Sequence, residues 1–257
     1  MLEIEYLHIA ERLQLAGLRW PTPGFMALIG PNGSGKSTLL SALAGLIPAH
    51  MRARLAGDAL PDVDMAREAG RRAMLPQRQA TALPMPAWEV LDMPRHLFPG
   101  QSAAWQQALA EVSERLALGP LLGRDFSRLS GGEQQRLLIG KTVLQVWPSL
   151  NPQARLLLLD EPLAALDWHH QLQVCALLRD LARQGIQIIC ALHDFNLAVA
   201  WADQLLCLQQ GQVVAAGDIA LLDSALLAQV FGVHTGEVRV QGQRGYLPLG
   251  VMPPSSV

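Results

Sequence analysis

The sequence predicts an α/β fold built on a parallel sheet that is buried on both faces. Three stretches predict it. Gly30-Pro-Asn-Gly-Ser-Gly-Lys-Ser37 fits the phosphate-loop pattern G-x-x-x-x-G-K-[ST], with an apolar run, Phe25–Ile29, before it and a helix-compatible run, Ser37–Leu46, after it. Arg155–Asp160 is a continuous apolar run ending in an acid, and Ile186–Leu192, apolar but for Gln187, reads as another buried strand. Near-continuous apolar strands suit a parallel sheet whose faces are both covered by helices.

Composition sets the bounds. The 257 residues are half apolar, enough for one large domain or a domain with a subdomain. Charged residues make up only 16%, where about a quarter is usual, which points to a surface partly covered by a partner. A net charge of -2 without any Lys/Arg run gives nucleic acid no footing. Cys175, Cys190 and Cys207 are widely spaced in apolar surroundings and form no C-x-x-C, the pattern of buried reduced thiols. Two early acids without a cationic leader argue against a signal peptide, and no uncharged apolar run approaches the roughly 18 residues of a membrane span. An intracellular chain that does not itself cross a membrane is expected.

In chain order, residues 2–9 and 13–20 read as strands with a polar break at Glu11-Arg12, and Pro21–Gly24 as a turn. The phosphate loop and its helix end near Pro48. Residues 51–75 read as irregular, with short strand candidates, a helical patch near Asp64–Gly70 and a possible strand ending at Met74-Leu75-Pro76-Gln77. From Arg78 to about Leu129, Pro84, Pro86, Pro94, Pro99 and Pro120 punctuate helical pieces, and Leu109, Val112 and Leu116 recur at helical spacing within Gln101–Leu118. This reads as a helical insertion. Leu129–Arg136 opens the next helix, Asp167–Gln184 forms another that stops at Gly185, and Asn196–Ala202 a third. Leu205–Leu208 and Gln212–Ala215 read as a hairpin joined at Gln210-Gly211. A last helix, Leu221–Phe231, precedes short tail strands at Val238–Val240 and Tyr246–Leu249.

The residue types carry a chemistry. Gly30, Gly33 and Gly35 permit close approaches that a Cβ would block, so successive N–H groups can wrap a phosphate at a helix N-terminus. Lys36 adds a charge for the outer phosphates, and the Ser37 hydroxyl can ligate Mg²⁺. Asp160 and Glu161 sit at the carboxyl end of a buried strand, where ligand crevices of α/β sheets lie. Asp160 suits Mg²⁺, and Glu161 suits the role of general base toward water. Without the phosphate loop they would read as surface acids closing a strand. Ser130-Gly-Gly-Glu133 has the form of a capping box, and its glycines also leave N–H groups free for an anion.

The chain resembles the ATPase subunits of ABC transporters over nearly its whole length. The resemblance rests on the phosphate loop, the signature Leu129–Arg136, Leu157-Leu-Leu-Asp-Glu-Pro162, Ala165-Leu-Asp167 and Leu192-His-Asp194. It implies a RecA-like P-loop NTPase core with an antiparallel β subdomain and an inserted α-helical subdomain. The core would span 1–79 and 151–232, the helical subdomain with the signature 80–150, and the tail strands 233–257. It implies ATP and Mg²⁺ as cofactors, with ATP held by Gly30, Pro31, Asn32, Gly33, Ser34, Gly35, Lys36, Ser37 and Thr38. In a head-to-tail pair of copies, the partner's equivalents of Ser130, Gly131 and Gly132 would close over that ATP. Lys36, Gln77, Glu161 and His193 are the implied catalytic residues, and Ser37, Gln77 and Asp160 the implied Mg²⁺ ligands. Gln79 is a nearby rival of Gln77, and Asp167 belongs to the loop that crosses between copies. His169-His170 read as helix surface.

The resemblance also implies partners: an integral-membrane permease dimer and, indirectly, a periplasmic substrate-binding protein, with the chain peripheral on the cytoplasmic face of the bacterial inner membrane. The stretch Leu83–Leu91, with Met85 and Trp88, is expected to line the cleft that receives the permease. Two departures stand out. Ala164 replaces a frequent Ser, and Ala10–Gln14 lacks the aromatic residue on which many members stack adenine, leaving Arg12 or Leu13. The long Val143–Arg155 link is similar to that of cobalamin-importer ATPases, and the Leu226–Val233 tail to both those and their siderophore and haem relatives.

Overall fold

A computed structural model describes residues 1–60, 70–77 and 84–251. Among them, ten strands form one sheet in the order β5-β4-β1-β2-β10-β9-β3-β8-β7-β6. These are β1 (Leu2–Ile9), β2 (Leu13–Trp20), β3 (Phe25–Ile29), β4 (His50–Leu55), β5 (Asp58–Leu60), β6 (Arg72–Leu75), β7 (Leu156–Asp160), β8 (Gln187–Ala191), β9 (Gln204–Gln209) and β10 (Gln212–Asp218). Strands β9, β3, β8, β7 and β6 run parallel, while β5, β4, β1 and β2 are antiparallel. The halves meet at β10, which pairs antiparallel with β9 and touches β2 at one parallel bridge, Gln212 to Gln14.

The apolar runs behave as a doubly covered sheet requires. Alternate residues of each central strand feed opposite cores. Phe25, Ala27, Ile29, Leu157, Leu159, Ile188 and Cys190 point to one side. Met26, Leu28, Leu156, Leu158, Ile189 and Ala191 point to the other, where α1 (Lys36–Leu43) packs with β1 and β2. On the first side lie α2 (Ala87–Asp92), α3 (Ser102–Arg115), α4 (Gly131–Gln145) and α5 (Trp168–Arg183). The insertion has its own anchor. Trp105 is fully buried, donates from Nε1 to Asp92 Oδ1 at 2.7 Å, and stacks on Phe98.

Several boundaries depart from expectation. The stretch read as irregular with short strand candidates holds β4, β5 and β6, and β6 matches the possible strand expected at Met74-Leu75. Strand β4 carries His50, Arg52 and Arg54 on an exposed face, so its pattern is faint, yet β1 and β5 pair with it on both edges. The helical patch Asp64–Gly70, apart from Gly70, lies outside the described residues, as do Gln79 and Leu83. The expected helix Leu221–Phe231 is split: a 3₁₀ turn spans Ile219–Leu221, and α7 (Ser224–Phe231) starts after Asp223, whose carboxylate accepts from Leu226 N. Between β8 and β9, α6 (Phe195–Trp201) is capped by Asp194, whose Oδ1 accepts from Asn196 N and Leu197 N.

The tail strands are longer than expected. Strands β11 (Val233–Val240) and β12 (Gln243–Val251) form a separate two-stranded sheet. Glycines and charged residues thin out their pattern, so backbone pairing rather than an apolar face defines them. The hairpin is fastened to α6. The Asn196 amide donates to Tyr246 O at 3.2 Å and accepts from Tyr246 N at 2.6 Å, satisfying an edge that would otherwise be open.

Candidate functional site

The carboxyl ends of the parallel strands open into a cavity of about 800 Å³. The phosphate loop forms its floor. Lys36 is buried and its Nζ donates to Gly30 O at 2.7 Å and Pro31 O at 3.1 Å, so its charge is held against the loop. Gly35 caps α1 at φ 102°, in the left-handed region where a Cβ is costly. Gly30 is more constrained still: a Cβ there would lie 2.2 Å from Leu208 O. Burial lowers the Lys36 pKa from its usual value, and the nearby Glu161 and Asp160 charges work against that shift.

Connectors after three strands bring the remaining groups. Gln77 follows β6, Glu161 follows β7 and His193 follows β8; all three line the cavity with Asn32–Thr38. Glu161 takes bonds on both oxygens: Gln77 Nε2 donates to Oε2 at 2.8 Å, and His193 Nε2 lies 2.6 Å from Oε1. Burial would raise its pKa, but the bonds from His193 and Gln77 and the charges of His193 and Lys36 outweigh it and hold the carboxyl below its ordinary value. Glu161 also sits at φ 52°, a left-handed conformation rare for a side-chain-bearing residue and concentrated at functional sites.

The residues present fit a Mg²⁺ ion. Asp160 is 2% exposed, and its Oδ1 finds no hydrogen-bond partner among the described residues. Burial raises its pKa, opposed by a hydrogen bond with Ser37. An unpartnered buried carboxylate oxygen beside a phosphate-loop hydroxyl is a hard-oxygen donor set of the kind Mg²⁺ takes.

Ser130, Gly131 and Gly132 do not line this cavity. They start α4, where Ser130 Oγ accepts from Glu133 N and Glu133 Oε2 accepts from Ser130 N at 2.8 Å, the reciprocal capping box. Gly132 lies against the chain's own loop, since a Cβ there would be 2.9 Å from Ala165 O, whereas Gly131 has open space around it. Arg136 points into the helical insertion. It is buried, and its Nη1 donates to Leu116 O and Ala117 O, closing the end of α3.

Sequence reasoning had not placed Glu11, Gln210 and Gly211 in the site, yet they line it with Arg12. They occupy two turns with positive φ at Glu11, Gln210 and Gly211. Gln210-Gly211 was legible as a turn, but not as one folded against the phosphate loop. The second candidate surface lies on α2. Trp88 is 51% exposed rather than core, and with Leu91, Asp92, Arg95, Leu109 and Leu122 it borders a shallow groove. Met85 is half-buried and packs on the core.

A family model described as ABC transporter matches residues 18–164, more than half of the chain. The vitamin B12 import ATP-binding protein BtuD of Yersinia pseudotuberculosis is 38% identical over 234 residues, 91% of this chain and 92% of that one. The hemin import ATP-binding protein HmuV of Chelativorans sp. is 40% identical over 212 residues, 81% of each. Among solved structures, an ABC transporter described as of metal-chelate type, in an inward-facing conformation, superposes with a TM-score of 0.77 over 96% of this chain and 97% of its own at 24% identity, which shows the fold.

Proposed function

The chain belongs to the ABC transporter family, and on that footing we propose that it is the ATP-hydrolysing subunit of an importer for a large metal chelate, cobalamin first. The observation that carries the catalytic reading is Glu161 at a strand end, with both carboxylate oxygens held by Gln77 and His193 in the cavity that Lys36 also lines. In this reading the loop N–H groups and Lys36 hold the outer phosphates of ATP, and Glu161 orients and deprotonates the attacking water. His193 steadies the terminal phosphate after leaving Glu161. Ser37, Asp160 and Gln77 would hold Mg²⁺, which supplies charge neutralisation on the phosphate oxygens.

A single chain leaves its signature serine and glycines outside its own cavity, with Gly131 in open space. A second copy, head-to-tail, would bring them over the bound triphosphate, so that binding closes a homodimer and hydrolysis reopens it. Among the described residues no helix is long and apolar enough to cross a membrane. The membrane path would therefore belong to a permease dimer seated on the α2 groove at Trp88, fed by a periplasmic binding protein, with this chain peripheral on the cytoplasmic face of the inner membrane.

Cobalamin ranks first because of the long link between α4 and β7. In the structure that link is a packed unit: Val146, Trp147, Leu150 and Ala154 are buried, and Asn151 Nδ2 donates to Gln145 O at 2.9 Å and to Gly70 O. Haem is the second reading, because the haemin import relative is as similar as the vitamin B12 ones. Purifying the chain with its permease tests both. Cobalamin-loaded binding protein should stimulate ATP hydrolysis; stimulation by haem-loaded protein alone would move the assignment to haem.

A further inference from the structure

We propose that the groove between α5, α6 and the C-terminal hairpin is a second ligand site, and that it takes a monomeric long-chain carboxylate. The groove has a volume of about 570 Å³, within the range of small-molecule sites. It shares no residue with the phosphate-loop cavity, so what it binds is independent of how that cavity works.

Three elements make its walls. Trp168 and Leu172 come from α5, Leu197 and Trp201 from α6, and Val240 and Leu247 from the hairpin. Trp168 is 83% exposed and Val240 68%, and Leu172 and Leu247 are exposed as well. Single exposed apolar residues are ordinary on a protein surface, but several gathered in one place mark an interaction site. The hairpin register explains the hollow. Val238 pairs with Gly245 and Val240 with Gln243, and residues opposite each other on two strands share a face. Gly245 leaves its share of that face empty: a Cβ there would stand 3.3 Å from Asn196 Oδ1 and 3.6 Å from Val238 Cγ2.

The charges select the ligand. Three charged residues line the groove: Arg179, Arg244 and Asp194. Arg179 lies over the Trp201 ring, 4.8 Å from its centroid, and its Nη2 donates to Ala200 O at 2.8 Å. Arg244 lies 5.8 Å from the Tyr246 centroid and donates to Ile219 O and Ala220 O. Both guanidinium groups are thus held by the wall itself, and among the described residues neither has an acid as ion-pair partner. Asp194 does not cancel them, because its Oδ1 is spent on Asn196 N and Leu197 N. A guanidinium has five donors, so each keeps some for a carboxylate, the group its fork matches. An apolar trough with two anchored, half-buried cations fits a chain that ends in a carboxylate. A membrane surface is met otherwise, by clusters of about four to eight Lys/Arg.

The test is a displacement titration on the full-length chain, with and without ATP and Mg²⁺. The dye 1-anilinonaphthalene-8-sulfonate, itself an apolar body with an anionic group, should bind saturably at one site per chain in both conditions. Laurate, below its micelle threshold, should displace it. Dodecanol has the same chain without the charge and should act at least about tenfold more weakly, as loss of a hydrogen bond to a charged group predicts. Arg244→Gln should weaken laurate by about tenfold and leave dodecanol unchanged. Val240→Glu adds an acid at an exposed position, so it should weaken laurate by at least about tenfold while the melting point stays at the wild-type value. Trp168→Ala should weaken laurate and dodecanol together, by about threefold to thirtyfold. The proposal is overturned if laurate does not displace the dye, or if laurate and dodecanol bind alike, since charge then plays no part. It is equally overturned if Val240→Glu and Trp168→Ala leave laurate binding intact, which would place the ligand elsewhere. Vesicles of phosphatidylglycerol that bind where laurate does not would make the groove a membrane contact. A dimer in sedimentation that Trp168→Ala dissolves, without laurate binding, would give the groove to a second copy of the chain.

Discussion

His193 Nε2 lies 2.6 Å from Oε1 of Glu161, while Gln77 holds the other oxygen of the same carboxylate at 2.8 Å. The carboxylate proposed to activate water is thus engaged by both neighbours that the proposed reaction would use. Its backbone, at φ 52°, is held in a conformation that costs on the order of 1–3 kcal/mol elsewhere. On the proposed reading, a bound triphosphate and its water would re-partner at least one carboxylate oxygen, which would couple occupancy of the site to the connectors after β6 and β8.

Glu161→Gln keeps the shape and removes the carboxylate. Hydrolysis should fall by about a hundredfold to ten-thousandfold, the range for loss of a general base, with ATP binding retained. Size exclusion with ATP and Mg²⁺ should show the variant as a dimer. Turnover at the wild-type level would remove Glu161 from catalysis. The pH dependence has a defined sign. The folded value lies below the ordinary 4.5, so ionised Glu161 contributes stability above that value and loses it as pH falls through the folded one. Below about pH 4.5, wild-type protein should lose more stability than Glu161→Gln in the same thermal series.

Asp160→Asn should separate stability from function. The Asp160 pKa is raised by burial, so its ionised form disfavours the folded state once pH exceeds the ordinary 3.8. In EDTA at neutral pH the variant should melt higher than wild type, each kcal/mol gained being worth roughly 2–4 °C in a chain of this size. Mg²⁺-dependent nucleotide affinity should drop. A lower melting point in EDTA would mean that Asp160 is structural.

Lys36→Ala removes a buried ammonium that bonds two loop carbonyls. ATP affinity should weaken by at least about tenfold and hydrolysis should disappear, as expected when a charge-assisted contact is lost. Isothermal titration and a phosphate-release assay measure the two effects. Near-normal turnover at saturating ATP would exclude Lys36 from the site.

Trp88→Glu places a charge on an exposed apolar residue, so folding and the ATPase of the isolated chain should change little, within about 0.5 kcal/mol for stability. Co-purification with the permease should be lost. Met85→Glu is the harsher variant, because Met85 packs on the core. If the complex and transport survive both, the permease docks elsewhere.

Much of this was readable in the residues, and the failures have physical causes. The central strands announced themselves because both faces are apolar, and Phe25–Ile29 matches β3 residue for residue. Two helix starts are legible from an encoded cap, Asp167 of α5 and Ser130 of α4, whereas the Asp223 cap of α7 is hidden by the apolar Leu221-Leu222 before it. Strand β4 falls among unplaced strand candidates because its exposed arginines hide the period, and β11 and β12 exceed the expected tail strands because hairpin pairing needs no apolar face. At the site, Lys36, Gln77, Glu161 and His193 carry motifs, and the structure gathers them in one cavity. Glu11, Gln210 and Gly211 carry none. They reach it through the meeting of β10 with β2, a long-range pairing that no local pattern records.

The clasp between Asn196 and Tyr246 has a practical consequence. It fastens the C-terminal hairpin to α6, which begins two residues after His193, so the hairpin should ride with that connector when the site reorganises. The native thiols are poor labelling targets: all three are buried, and burial pushes Cys175 up to about 12 and Cys207 to about 11. A cysteine introduced at the exposed Arg239, on the hairpin, would therefore react with a maleimide dye ahead of them. A fluorophore there would give an optical reading of the catalytic cycle from well outside the nucleotide cavity.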